Sequence, residues 1–106
     1  MPVYQSTDSS VAVFAIDQST GEPTLIQSID SDGAHPRTFS IDASGRILIS
    51  ASLGPIALRE GGRNRVLPAG LSIFRIGQDG RLKYVRRIEV NTGGNMQWWS
   101  GLVELA

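Results

Sequence analysis

One histidine and one arginine lie close together in a passage that reads AHPRTFSID over residues 34–42. His35 is the single histidine of the chain, and Arg37 follows it after one proline. An imidazole exchanges protons near neutral pH, and a planar guanidinium binds carboxylates, phosphates and oxyanions in bidentate fashion. The pair therefore has the residue types for general acid–base chemistry beside a bound anion.

A structural role is the alternative for the same residues. Arg37 could tie neighbouring parts of the fold together through backbone carbonyl groups, and Pro36 could set the turn into the following strand, because its ring restricts φ. His35 could equally be a turn residue without a chemical role. The residue types alone leave both interpretations open.

The composition limits the class of function. Ten basic and ten acidic residues balance, so no overall field favours nucleic acid or an anionic membrane. The absence of cysteine excludes disulfides and thiol nucleophiles, and a single histidine argues against an all-protein transition-metal site. No stretch approaches the length of a membrane span, and the first residues lack the pattern of a signal peptide. We therefore expect a cytoplasmic protein with neither a nucleic-acid nor a membrane partner.

The hydrophobic pattern predicts strands and no helices. Twelve glycines and five prolines interrupt short apolar runs, inside which apolar and polar residues alternate with a period of two. We expect seven strands, all antiparallel, at residues 10–16, 24–29, 38–41, 46–50, 70–76, 82–90 and 97–105. Turns rich in aspartate, serine and glycine join them into hairpins.

The connection over residues 54–69 is expected to be a long loop without strands. It contains Arg59, Arg63 and Arg65 among glycines. A structureless connection of this length is uncommon in a compact domain unless it is functional or mobile. It is either a solvated excursion or a lid that contacts an anion.

The chain matches itself at a shift of about 60 residues. Residues 13–16 (VFAI) fall opposite 73–76 (IFRI), and residues 25–26 fall opposite 84–85. A repeat of this length made only of strands is typical of β-propeller blades rather than of a sandwich.

We therefore predict an all-β protein of antiparallel four-stranded propeller blades, with about two blades per chain. Residues 34–92 would form one full blade, residues 1–33 the last strands of the preceding blade, and residues 93–106 the first strand of the next. A propeller closes its core by radial repetition, so two blades leave an incomplete ring. The chain is then either a piece of a longer one or a homo-oligomer that associates through its blade edges.

The repeat adds two candidate site residues. Asn95 and Gln97 occupy the positions that correspond to His35 and Arg37, and as neutral donors and acceptors they could line the same opening.

Other polar and aromatic residues are expected to be structural. Trp98 and Trp99 would lie on opposite faces of a strand, and core packing is favoured over ligand stacking for either ring. Asp17 and Asp42 lie in turn sequences and are predicted to form turns rather than to act as acids.

Four motifs together resemble the lactonase family of seven-bladed β-propellers, which includes the propeller-type 6-phosphogluconolactonases and the carboxymuconate lactonising enzymes. They are VAVFAID at residues 11–17, TGEPTL at 20–25, GAHPRTFSIDASGRIL at 33–48 and SIFRI at 72–76. The family domain is much longer, and this chain resembles its C-terminal end. Residues 54–69 depart from the family pattern, which has a short connection at this point.

The resemblance implies an enzyme that hydrolyses or forms a lactone of a sugar acid or dicarboxylic acid, without a required cofactor. Its ligand would be a small anionic sugar acid or lactone. His35 and Arg37 would face the central channel as the catalytic pair, with Asn95 and Gln97 binding substrate. The chain alone is expected to be inactive. A non-enzymatic self-associating module, or a truncated remnant, is the alternative.

The same resemblance assigns directions to the residues that follow the pair. Phe39 and Ile41 come directly after Arg37 on the predicted inner strand. They are expected to pack into the stack of blades, whereas His35 and Arg37 point towards the channel.

Overall fold

The computed structural model describes residues 3–4, 9–93, 95–97, 99–103 and 105. All regular structure in these ranges is β, which confirms the predicted class, and no helix among them is long and apolar enough to cross a membrane. The strands are β1 (Val3–Tyr4), β2 (Ser10–Ile16), β3 (Pro23–Asp30), β4 (Pro36–Ile41), β5 (Ile47–Ser52), β6 (Ile56–Glu60), β7 (Arg63–Leu67), β8 (Gly70–Ile76) and β9 (Leu82–Glu89).

The central unit is an antiparallel sheet of four strands in the order β4-β5-β8-β9. The turn between β4 and β5 forms because the Asp42 carboxylate accepts hydrogen bonds from the backbone N–H groups of Arg46 and Ile47, both at 2.9 Å. Gly45 supplies the positive φ of 71° that this turn requires. Asp17 caps the turn between β2 and β3 in the same way, so the prediction that both aspartates form turns is confirmed.

The hairpin β2–β3 repeats the hairpin β8–β9 in register. Each has seven cross-strand residue pairs. Each also has one register shift, between Val13 and Phe14 in the first hairpin and between Ile73 and Phe74 in the second. A bulge at the same place in both copies confirms the internal repeat. The proposed blade limits, after residues 33 and 92, stay predictions.

The core lies between the hairpin β2–β3 and one face of the central sheet. Phe74 is completely buried, and Leu48 and Leu82 are buried beside it. Val13 and Ile29 of the hairpin pack against this cluster. Each fully buried side chain of this size contributes about 1.5–3 kcal/mol, so this small cluster is what attaches the hairpin to the sheet.

The segment at residues 54–69 is a β-hairpin, and the prediction of a strandless loop was wrong. Strands β6 and β7 pair antiparallel, and β1 pairs with β6 in parallel, so not all strands are antiparallel. Gly61 and Gly62 form the two-residue turn, with φ of 56° and 79°. Paired glycines of positive φ are a strong hairpin signal. The sequence pattern did not predict this hairpin, because the arginines and the asparagine of β7 interrupt the alternation of apolar and polar residues that is typical of a strand.

The predicted strand at residues 97–105 is absent from the parts of that range that the structure describes. Residues 99–103 are irregular and run along β4, where the Ser40 hydroxyl donates to the Ser100 carbonyl at 3.0 Å. A strand needs a hydrogen-bonded neighbour, and this stretch has none of the ladder pairs that the other strands have. Trp98 lies outside the described residues, and the Trp99 side chain is exposed.

Phe39 and Ile41 point to the expected face but are not buried. They lie on the side of the central sheet that carries the core, beside Val13 of the hairpin, yet they remain 62% and 49% exposed. The reason is that a two-stranded hairpin is too narrow to cover all four strands. An apolar groove therefore remains between β2 and β4.

Candidate functional site

His35 occupies a strained backbone position in the loop that leads into β4. Its φ is 51°, and Asp32, three residues earlier, has a φ of 52°. Such left-handed conformations are unfavourable for residues other than glycine, at about 1–3 kcal/mol each, and they cluster at functional sites. The His35 N–H donates to the Ser9 hydroxyl at 3.3 Å, and its carbonyl accepts from the Leu53 N–H at 2.9 Å. The backbone is thus held while the side chain is exposed.

The rest of this loop packs closely against the central sheet. A side chain at Gly33 would place its Cβ 2.0 Å from the Ser52 hydroxyl oxygen, so any other residue here would require the buried Ser52 side chain to move. The buried Ser31 hydroxyl bonds the carbonyls of Ser9 and Gly33 at 3.1 and 3.0 Å. The loop therefore holds His35 at a defined place on the sheet.

Tyr84 on β9 also binds this loop, through its hydroxyl, which donates to the Asp32 carboxylate. This hydrogen bond, followed by burial, raises the pKa of Tyr84 above its usual value, because a phenolate beside a carboxylate is disfavoured. The contact joins the strained loop to the last strand of the sheet.

Arg37 lies at a bulge at the start of β4. The pairing with β5 shifts by one residue between Pro36 and Thr38, so Arg37 is the extra residue in the ladder. Bulges redirect a side chain away from the regular alternation, and Arg37 is exposed. His35 and Arg37 are therefore presented at the same end of the sheet, where β4 begins.

Gln97 comes to the same end, as the repeat implied. Its N–H donates to the Leu53 carbonyl at 2.6 Å, while the Leu53 N–H donates to His35, so one residue bridges the two candidates. The Gln97 side-chain amide donates to the carbonyls of Ser52 and Gly70 at 2.6 and 3.0 Å. Both bonds support the ends of β5 and β8, and a substrate-binding role for Gln97 stays a prediction.

Asn95 lies close by and is exposed. Its N–H donates to the Thr92 carbonyl at 3.1 Å, which forms a turn before Gln97. The neighbouring Met96 packs closely on Gly54, directly after β5. All four candidate residues therefore lie at one end of the central sheet, and the role of Asn95 as a ligand stays a prediction.

Arg87 is a charged residue near this end that the sequence did not single out. Its side chain is 11% exposed, and its guanidinium donates to the Pro68 carbonyl and lies 3.6 Å from the Glu89 carboxylate. A Cβ at Gly70 would fall within 2.8 Å of the guanidinium, so this glycine makes the space for it. A glycine at the start of a strand, Gly70, was the sequence feature that could have indicated a large side chain packed against the backbone here. Through its bond to Pro68, which directly follows β7, Arg87 joins the ends of β7 and β9.

The arrangement offers one imidazole, one guanidinium and two amides on an open surface. Among the described residues, no three histidine, aspartate or glutamate side chains come together to hold a metal ion. The chemistry that these groups can supply is proton transfer and anion binding.

The family model described as "Lactonase, 7-bladed beta-propeller" matches residues 3–53. This range includes β2 to β5, with His35 and Arg37, and it ends before Asn95 and Gln97. No curated protein and no solved structure matches the chain. The motifs quoted above for the first half of the chain lie in the matched range, and within it β2 pairs with β3, and β4 with β5, in antiparallel fashion. Residues 3–53, just under half of the chain, therefore match the lactonase family of seven-bladed β-propellers.

Proposed function

We propose that the chain supplies blades to a lactonase that hydrolyses or forms the lactone of a sugar acid or dicarboxylic acid. The observation that carries the proposal is the family match over residues 3–53, which contains His35 and Arg37. The exposed placement of both residues at one end of a blade-like sheet supports it, because a ligand can reach them.

Each residue has a role in the hydrolytic direction. His35 takes a proton from a water molecule as its oxygen bonds to the lactone carbonyl carbon. The ring C–O bond then breaks, and the protonated His35 returns this proton to the departing alkoxide, which yields the hydroxy acid. Arg37 holds the substrate carboxylate or phosphate, or the oxyanion that forms on the carbonyl oxygen. Asn95 and Gln97 add neutral hydrogen bonds to the substrate.

The site needs partners beyond this chain. His35 and Arg37 lie on an open surface, and a hydrolytic site has to exclude bulk water around the reacting carbonyl. We therefore expect activity only from an assembled ring, with the remaining blades supplied by further copies or by additional chain.

The experiment is a lactonase assay on 6-phosphogluconolactone, with the oligomeric state of the same sample recorded. Arg37→Ala is expected to lower the rate by about 100-fold or more, since removing one such stabilising group commonly costs that much. Arg46→Ala, at an exposed arginine directly before β5 and at the opposite end of the central sheet, is the matched control and should leave the rate unchanged. An unchanged rate in Arg37→Ala contradicts the role of Arg37, and loss of assembly in that variant supports the structural role instead.

A non-enzymatic self-associating module is the second candidate. The observation that favours it is the number of large apolar side chains that the hairpin β2–β3 exposes, among them Phe14, Ile16 and Leu25. Such a patch marks an interaction surface. An assembled species without lactonase activity supports this candidate over the first.

A further inference from the structure

The repeat divides each hairpin into two faces that can be compared residue by residue. The cross-strand pairing in the two hairpins aligns β2 with β8 at a shift of 60 residues and β3 with β9 at a shift of 59. We define the front face as the side that carries Phe74, Ile76 and Tyr84 in β8–β9, and correspondingly Phe14, Ile16 and Leu25 in β2–β3. The back face is the opposite side, with Ile73, Arg86 and Ile88 in β8–β9, and Val13, Gln27 and Ile29 in β2–β3.

Within the chain, a back face packs on a front face. Val13 and Ile29, on the back face of β2–β3, pack against the buried cluster that includes Phe74 and Leu82 on the front face of β8–β9. This contact is the core of the molecule, and it buries Phe74 completely. The interface is head-to-tail, because the two contacting surfaces belong to different faces of the repeat.

In the part of the chain that the structure describes, the front face of β2–β3 and the β9 side of the back face of β8–β9 are exposed. Phe14 corresponds to Phe74 but is 50% exposed, and Leu25 beside it is also exposed. At the other end of the molecule, Arg86 and Ile88 are exposed on the back face of β8–β9.

The polar contacts of the internal interface show how the uncovered faces complement each other. Inside the chain, the Gln27 amide donates to the Leu82 carbonyl and accepts from the Leu82 N–H. The registers place Arg86 at the position of Gln27, and Pro23 at the position of Leu82. Arginine is a donor without an acceptor, and proline has a carbonyl without an N–H. In a contact of the same register between two copies, the donor-only side chain of Arg86 would face the acceptor-only backbone of Pro23, and neither group would lack a partner.

We infer that a second copy of this chain places its front face, with Phe14 and Leu25, on the back face of β8–β9, and that Arg86 donates to the Pro23 carbonyl across this contact. The occupant is a second copy because the contact continues the interface already present inside the chain, with the same faces and register. The inference rests on the part of the proposed function in which copies assemble, and it does not depend on lactonase chemistry.

The contact leaves each added copy with a free face, so association proceeds beyond a dimer. Head-to-tail contacts of this kind form a ring if the rotation closes and an open filament if it does not. A two-fold symmetric dimer is therefore not the expected product.

The first test is complementation, measured by sedimentation velocity. Phe14→Asp disrupts the front face and Ile88→Asp disrupts the back face, so each variant alone should sediment as a single chain. In an equal mixture, the intact front face of the Ile88→Asp variant can bind the intact back face of the Phe14→Asp variant. The resulting dimer has no further intact face, so it should not grow. Val66→Asp, at an exposed apolar residue of β7, is the matched control and should assemble like the wild type.

The second test exchanges the polar groups. Arg86→Glu sets an acceptor against an acceptor and should weaken association by about 10- to 100-fold, the usual effect of losing a charge-assisted hydrogen bond. Adding Pro23→Leu returns an N–H that the glutamate can accept, and should recover a substantial part of that loss.

The results that overturn the inference are equally specific. They are a wild-type chain that stays a single chain at all concentrations, a mixture of the two aspartate variants that does not dimerise, or assembly that Arg86→Glu leaves unchanged. Circular dichroism of each variant confirms that the fold is intact. Because no substrate is used, a negative lactonase assay leaves these outcomes unaffected.

Discussion

The side-chain amide of Gln27 forms two hydrogen bonds with the backbone of Leu82, although 55 residues separate them in the chain. Its Nε2 donates to the Leu82 carbonyl at 2.7 Å, and its Oε1 accepts from the Leu82 N–H at 2.6 Å. Leu82 is buried at the start of β9, so these two backbone groups have little access to water. The pair fixes where the hairpin β2–β3 lies on the central sheet.

We predict that Gln27→Ala lowers the free energy of unfolding by about 2 kcal/mol, because it leaves a buried N–H and a buried carbonyl of Leu82 without their partner. Urea denaturation measures the change. Gln18→Ala is the matched control: its exposed amide bonds only the nearby Ile16 carbonyl, at 3.2 Å, and its loss should cost less than about 0.5 kcal/mol. Equal losses in the two variants would contradict the role of Gln27.

Phe74 and Phe14 offer a comparison of one residue type at equivalent positions. Phe74 is fully buried and meets the Tyr84 ring edge-on, with centroids 5.9 Å apart, whereas Phe14 is half-exposed. Phe74→Ala should therefore cost about 3–5 kcal/mol and Phe14→Ala below about 1 kcal/mol. The unfolding measurements should be made at concentrations where the chain is a monomer. Similar losses would show that the two faces are buried alike.

His35→Gly should preserve or raise stability, by up to about 1 kcal/mol. Glycine adopts a φ of 51° without strain, and the backbone bonds of residue 35 do not require its side chain. His35→Val should be destabilising, since a β-branched residue is strained there. Thermal denaturation tests both, and lactone hydrolysis by the assembled protein should be lost in each. A large loss of stability in His35→Gly would indicate that the imidazole is structural.

Asp42 should contribute to stability in a pH-dependent way. Hydrogen bonds from the Ser44 hydroxyl and from backbone N–H groups lower the pKa of Asp42 to about 2. A carboxyl with a lowered pKa stabilises the fold above the pKa it has in the unfolded chain, about 4, and this contribution is lost as the pH falls through about 2. The difference in melting temperature between wild type and Asp42→Asn should be constant above about pH 5 and shrink below pH 4. A difference in melting temperature that does not change with pH would contradict the role of the ionised Asp42 carboxylate.

Much of the local structure was predictable. Alternating apolar residues and the turn aspartates located the strands of the central sheet and the hairpin β2–β3 to within a few residues. The hairpin β6–β7 was not predicted, although Gly61 and Gly62 marked its turn, because its strands contain arginines instead of alternating apolar residues. The sequence predicted which residues belong to the candidate site, because the repeat paired Gln97 with Arg37. It did not predict the hydrogen bonds through Leu53 that bring Gln97 to His35.

The strands, the turns and the repeat could be recognised before the fold was known, since they depend on side-chain alternation and on the φ preferences of glycine and aspartate. Which copy of a repeated residue is buried depends instead on the packing of the folded chain. Phe14 and Phe74 share residue type, strand position and adjacent bulge, yet only Phe74 has a neighbouring hairpin against it. Burial depends on contacts between residues that are distant in the chain, and no local pattern records which neighbour is present.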